Sequence, residues 1–347
     1  MTEERPGPRR LTNRIAGTYP LAETYHRWRL VDEMEEVTGE AASLVAGATG
    51  LRLPGSPAVA VVDRSQWVER NMATFSHLLA PAEERIAERM AEAGPKGRSA
   101  AAMAHRLLSV ETAALLGVLA RRVLGQYELV LPTGEDGDVV TFVGPNLLAM
   151  ERRHHFRPSE FRMWVALHEL THRAQFQGVP WMRGFFLDLV HEMVMAAQPE
   201  PGRLARVIRQ VLDSRAEGRP VLDEKGLFGL FATPRQHEII DRIQALMTVL
   251  EGHGHVVMDR LGAERLRSQE RMSRVLRSRR NDPRTAAFLR MSGLEMKMRQ
   301  YEDGERFILA VEAEAGWETV RLLFTAPLAL PTLSEIAEPV RWLRRVA

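Results

Sequence analysis

Helical periodicity dominates this sequence and constrains its fold more than any other feature. Only three short runs, at 58–62, 127–131 and 139–143, carry strand signals, and the last two flank a glycine-containing turn typical of a β-hairpin. The segments with the apolar spacing of a buried helix face are 23–46, 65–92, 98–124, 160–176, 181–197, 201–216, 234–260, 284–302 and 335–345. We therefore predict a mainly α fold with a small β-hairpin and strand element.

Two segments are expected to lie outside the packed core. Residues 1–20 are rich in proline, glycine and arginine, so we expect a flexible N-terminal arm. Prolines and glycines bracket a polar helix at 199–220, which predicts an exposed insertion there. Residues 21–347, which include this insertion, are expected to form a single mainly helical domain.

Composition limits the kinds of site and partner that this chain can have. Cysteine is absent, so a metal site would have to use histidine, aspartate or glutamate. The N-terminus lacks the apolar segment of a secretory signal, and no apolar run is long enough to span a bilayer, so we expect a cytoplasmic protein without a membrane partner. The arginine-rich stretch 265–290 has only one aromatic residue among its arginines, which predicts no nucleic-acid partner.

An H-E-x-x-H motif begins at His168 and ends at His172, inside a predicted helix that Ser159 would cap and Gly178 would end. Residues four apart lie one above the other on a helix, so both imidazoles can bind one Zn²⁺ from the same side. Glu169 can then reach a water molecule at the metal without ligating the metal itself. The motif predicts a zinc centre with Glu169 as general base, whereas two buried histidines with polar partners are the plain structural alternative.

A hydrolytic zinc site usually has three protein ligands and one open position, so a third ligand must come from elsewhere in the chain. Glu251 interrupts the apolar face of the helix predicted over 234–260, as does His255 one turn later. These two residues could also simply pair with each other. Glu192 is a further alternative, because its separation from His172 resembles that of the third ligand in thermolysin-type zincins.

The helix that carries Glu251 contains two unusual glycines. Gly252 and Gly254 each weaken a helix by roughly 1 kcal/mol relative to alanine. Their presence suggests that another helix or a ligand approaches the backbone closely at this point.

Hydrolysis of an amide also needs a donor for the oxyanion that forms on the carbonyl oxygen. The candidates are Tyr301, His255 and Arg299. We favour Tyr301 because it lies in a polar and aromatic run after an apolar helix, although a buried core tyrosine is an equally simple interpretation.

Several blocks of the sequence together resemble an actinobacterial family of zincin-like metallopeptidases, whose members are often associated with biosynthesis of the deazaflavin coenzyme. The resemblance implies a mainly helical zincin-like fold with zinc at His168 and His172, and it favours Glu251 as the third ligand. It runs from about residue 58 to the C-terminus. The blocks are 62–68, 142–146, 161–172, 175–181, 250–253, 293–301 and 331–336.

The sequence thus predicts a zinc-dependent metallohydrolase, and first of all a peptidase that cleaves an unidentified peptide or amide substrate. A non-catalytic zincin-fold protein with a binding or regulatory role is the alternative, and the intact Glu169 argues against it. The chain has no glycine-rich phosphate-binding motif, so we expect Zn²⁺ and no nucleotide cofactor. The sequence does not predict an oligomeric state.

Overall fold

The computed structural model describes residues 17, 19, 21, 24–92, 112–113, 115–131, 133–134, 136–196, 234–280 and 295–346. The predicted insertion at 199–220 and nearly all of the predicted arm at 1–20 lie outside these residues, so both stay predictions. The chain divides into two compact units. The first unit comprises Met1–Gly178 and Arg260–Met272, and the second comprises Val179–Asp259 and Ser273–Ala347.

The first unit combines helices with one small sheet. Its sheet has the order β1 (Ala58–Val62), β3 (Asp136–Val143) and β2 (Gly125–Val130), with β1 parallel and β2 antiparallel to β3. The predicted strand and the predicted hairpin are therefore both confirmed. The elements are α1 (Tyr25–Thr49), β1 (Ala58–Val62), α2 (Arg64–Glu92), β2 (Gly125–Val130), β3 (Asp136–Val143), α3 (Gly144–His154) and α4 (Pro158–Gln177).

Helix α4, which carries the H-E-x-x-H motif, packs against α1 and against β2. The predicted cap at Ser159 is wrong: the helix begins at Pro158, and Arg157 occupies the N-cap position without a side-chain capping bond. Proline suits the first helical position because its fixed φ is helical and its missing N–H would have no partner there. The predicted end is confirmed, since Gly178 is the C-cap residue.

Two buried side chains fix α4 against the β-hairpin. Arg173 is fully buried and makes a bidentate ion pair with Asp138 at 2.7 Å, while its Nη2 also donates to the Pro54 carbonyl at 2.6 Å. Burial raises the pKa of Tyr127 to about 12, so its hydroxyl stays protonated and accepts a hydrogen bond from Gln177 Nε2 at 2.8 Å. These contacts set the distance between the motif helix and strand β2.

The remaining described helices belong wholly or largely to the second unit. Helix α8 (Glu295–Ala315) packs against α9 (Trp317–Val320), α10 (Leu333–Ala337) and α11 (Pro339–Val346). The ring centroids of Phe307 and Trp342 lie 5.5 Å apart in this group. The predicted helix at 335–345 is divided into two, because Pro339 lacks the N–H that a continuous helix would need. The helices are α5 (Met182–Met195), α6 (Pro234–Arg265), α7 (Gln269–Arg280), α8 (Glu295–Ala315), α9 (Trp317–Val320), α10 (Leu333–Ala337) and α11 (Pro339–Val346).

The predicted fold class is confirmed: the protein is mainly helical with one three-stranded sheet. Among the described residues, none of the helices combines the length and the apolar character that crossing a membrane requires.

Candidate metal centre

The two motif histidines bring their Nε2 atoms close together. His168 and His172 have ring centroids 4.5 Å apart, and their Nε2 atoms are 3.1 Å apart. Two nitrogens that each lie at about 2.0–2.1 Å from a tetrahedral zinc ion are separated by about 3.3 Å. The observed spacing therefore suits joint ligation of one Zn²⁺ by these two nitrogens.

Gln175 orients the second of these histidines. Its Oε1 lies 2.9 Å from Nδ1 of His172, and the glutamine side chain is fully buried. Because an amide oxygen can only accept, this contact favours the His172 tautomer with the proton on Nδ1 and the lone pair on Nε2. This is the tautomer that a metal ligand needs, and the hydrogen bond also fixes the plane of the ring.

Sequence reasoning did not identify Gln175 as a residue that orients a motif histidine. A usable signal was present, because Gln175 follows His172 by three positions and side chains three apart on a helix are neighbours.

We expect Gln175→Leu to weaken zinc binding by roughly 10–100-fold, because the His172 ring loses the acceptor that fixes its tautomer. Titration against a chromogenic chelator measures this affinity. Gln177→Leu is the matched control, since Gln177 lies on the same helix and bonds to Tyr127 rather than to a histidine. Equal zinc affinity in the two variants would show that Gln175 does not support the ligand.

Glu169, which directly follows His168 in the sequence, is buried, with 6% of its surface exposed. Its carboxylate lies against Gly125 at the start of β2. Because Glu169 directly follows His168 on α4, we expect this carboxylate to act on a water molecule at the imidazoles. The structure thus pairs His168 with His172, places Gln175 at His172 and places Gly125 at Glu169, all in the first unit.

Two candidates for the third ligand lie on α6 in the second unit, and both are buried. Glu251 is 5% exposed and His255 is 2% exposed. His253, between them, stacks on Trp317 at 5.8 Å and meets the edge of Phe324 at 4.9 Å, so its ring serves aromatic packing. Burial does not separate Glu251 from His255 as the third ligand, and the family resemblance favours Glu251.

The expected close approach at Gly252 is confirmed. A Cβ on Gly252 would lie 2.5 Å from the Cα of Gly304 in α8, and a Cβ on Gly304 would lie 2.9 Å from the Cα of Gly252. The two helices thus cross backbone to backbone, one residue from Glu251. This crossing fixes the position of the turn of α6 that carries the carboxylate.

Glu192 has a different environment from the other candidates. Its carboxylate lies 3.0 Å from Arg235 Nη2 and 3.5 Å from Arg242 Nη1, and 38% of its side chain is exposed. A carboxylate that already neutralises two arginines at the surface is a poor zinc ligand, so these contacts argue against this alternative.

The predicted oxyanion donors on α8 are only partly described. Tyr301 and Arg299 lie in the helix Glu295–Ala315, and their side chains are outside the described residues. The role of Tyr301 therefore stays a prediction.

Comparison with known proteins gives two matches of the whole chain. The sequence profile of the zincin-like metallopeptidases matches residues 9–343. The crystal structure of a protein from Chloroflexus aurantiacus, described as a candidate hydrolase with a novel fold, is 29% identical and superposes with a TM-score of 0.70. The alignment covers 97% of this chain and 96% of that one. Comparison with curated proteins gives no significant match.

Proposed function

Because this chain belongs to the zincin-like metallopeptidase family, we propose that it is a zinc-dependent metallohydrolase that cleaves peptide or other amide bonds. The observation that carries the proposal is the 3.1 Å approach of the His168 and His172 Nε2 atoms, on the helix that also carries the buried Glu169. The similarity to the Chloroflexus protein, itself described as a candidate hydrolase, supports the same reaction class.

We propose His168, His172 and Glu251 as the protein ligands. Together they offer two imidazole nitrogens and one carboxylate oxygen, a donor set that zinc hydrolases use. A carboxylate that is 5% exposed is stabilised by a cation, and this requirement supports Glu251 over the arginine-paired Glu192. A fourth position would stay open for water and substrate.

A zinc ion at this site would supply Lewis acidity for a substrate carbonyl and a lowered pKa for a coordinated water. A carboxylate oxygen of Glu169 accepts a proton from the water as the water attacks the carbonyl carbon. Glu169 then delivers this proton to the leaving amine nitrogen, so the carboxylate is regenerated. Gln175 keeps the His172 ring in place throughout, and Tyr301 is the proposed donor to the oxyanion.

Peptide hydrolysis tests the proposal directly. We expect the purified protein to cleave a mixture of fluorescence-quenched peptides with randomised central residues. Incubation with a chelator should abolish cleavage, and added zinc should restore it, because the water and the carbonyl are then activated by metal again. Cleavage that is unaffected by complete metal removal would contradict a zinc mechanism, and no cleavage by zinc-loaded protein would contradict peptidase activity.

A further inference from the structure

Gly125, the first residue of β2, lies directly against the side chain of Glu169. A Cβ built on Gly125 would lie 2.7 Å from Cγ, 2.8 Å from Oε1 and 2.9 Å from Cδ of Glu169. These three distances are all too short for real carbon contacts. The Glu169 side chain thus occupies the space that any other residue at position 125 would fill with its own Cβ.

The backbone conformation at position 125 does not require a glycine. Gly125 does not have a positive φ angle, unlike Gly50 and Gly134. It does not allow two backbones to approach either, which is the reason for glycine at Gly252 and Gly304. The three nearest atoms to its missing Cβ all belong to the Glu169 side chain, so the absence of a side chain serves that one residue.

The backbone on each side of this contact is fixed, so neither element can move apart to make room. Gly125 is paired with Phe142 in the antiparallel ladder, and the preceding carbonyl, of Leu124, accepts a hydrogen bond from Val143 at 2.9 Å. On the other side, α4 is fastened by the buried Arg173–Asp138 ion pair. A side chain at position 125 would therefore displace the Glu169 carboxylate and leave both backbones in place.

We propose that Gly125 is a positioning residue for the general base: it leaves the space in which the Glu169 carboxylate is seated at the start of β2. This inference rests on the proposed function, because it assigns Gly125 a role in a reaction that Glu169 carries out. It does not require a particular substrate. Its physical content is a single steric relation, in which a methyl group at position 125 and the present Glu169 conformation exclude each other.

Gly125→Ala should still fold, although with lower stability, since the displaced group is the flexible end of a side chain. It should bind zinc as the wild type does, because both imidazoles are untouched. Its kcat for the quenched-peptide mixture should fall by roughly 100-fold, as expected when a general base is moved, with little change in KM. Gly39→Ala is the matched control, because Gly39 lies in α1 of the same unit with nothing within 4 Å of its Cβ position.

A double variant separates action through Glu169 from a general structural effect. In the Glu169→Gln background, Gly125→Ala should cause no further loss of kcat, because the base that it displaces is already inactive. Losses that multiply in the double variant, or a wild-type kcat in Gly125→Ala, would overturn the proposal.

A second measurement needs no substrate and so stays decisive if the peptidase activity itself is absent. The urea midpoint of unfolding should fall in Gly125→Ala when Glu169 is present and should not fall in the Glu169→Ala background, where the clashing atoms are gone. An equal fall in both backgrounds would show that Gly125 does not accommodate Glu169. A coupled fall without any peptide cleavage by the wild type would refute the proposed function and leave the steric inference standing.

Discussion

Glu169→Gln should lower the rate of peptide cleavage by roughly 10²–10⁴-fold, the range that a positioned general acid–base group contributes. The amide keeps the size of the side chain but accepts no proton from water at neutral pH. The zinc content should be unchanged, because neither imidazole is altered. Steady-state kinetics on the quenched peptides, with metal analysis of the same sample, measures both quantities.

Glu160→Gln is the control for this substitution. Glu160 lies on the same helix, and its carboxylate accepts hydrogen bonds from the backbone N–H and the hydroxyl of Ser268 at 2.8 and 2.5 Å. Its replacement should leave cleavage close to the wild-type rate. Retained cleavage in Glu169→Gln, or an equal loss in both variants, would remove Glu169 from the mechanism.

Gly252→Ala should be among the most destabilising single substitutions in the second unit. The new Cβ would meet backbone atoms of Gly304, the Cα at 2.5 Å, so the clash cannot be relieved by rotating a side chain. Overpacking of this kind costs typically 1–3 kcal/mol, and a backbone contact places this variant at about 3 kcal/mol or more. Urea denaturation measures the change in the free energy of unfolding.

Gly184→Ala makes the same chemical change and should have the opposite effect on stability. Gly184 lies in α5 of the same unit, is exposed, and has nothing within 4 Å of its Cβ position. Alanine should stabilise the protein there by about 0.5–1 kcal/mol, because it favours the helix over the unfolded chain. If Gly252→Ala were as well tolerated as Gly184→Ala, the two helices could not cross at the observed distance.

Local patterns were sufficient to predict most of the elements around the site. The strand at Ala58–Val62, the hairpin and the motif helix all follow from spacing and turn residues within each segment. The glycine at 252 also carried useful information, because a helix keeps such a residue only for a reason that outweighs its cost. In each case the physical cause acts within a few residues of sequence.

The relations that refine the site could not be predicted in this way, because they depend on tertiary structure. Nothing near Gly125 in the sequence indicates that Glu169 will lie against it, and nothing near Gly252 identifies Gly304 as its partner. Sequence spacing ranked Glu192 as an alternative ligand, whereas its surface pairing with Arg235 appears only once the helices are folded.

Zinc content tests the central claim most directly. After dialysis against buffer without chelator, the wild-type protein should retain about one zinc ion per chain, as three protein ligands, two imidazoles and one carboxylate, imply. The double variant His168→Ala/His172→Ala should retain none while keeping its helical circular dichroism spectrum. A folded wild-type protein that binds no zinc even when zinc is supplied, or a double variant that binds it equally well, would contradict the account.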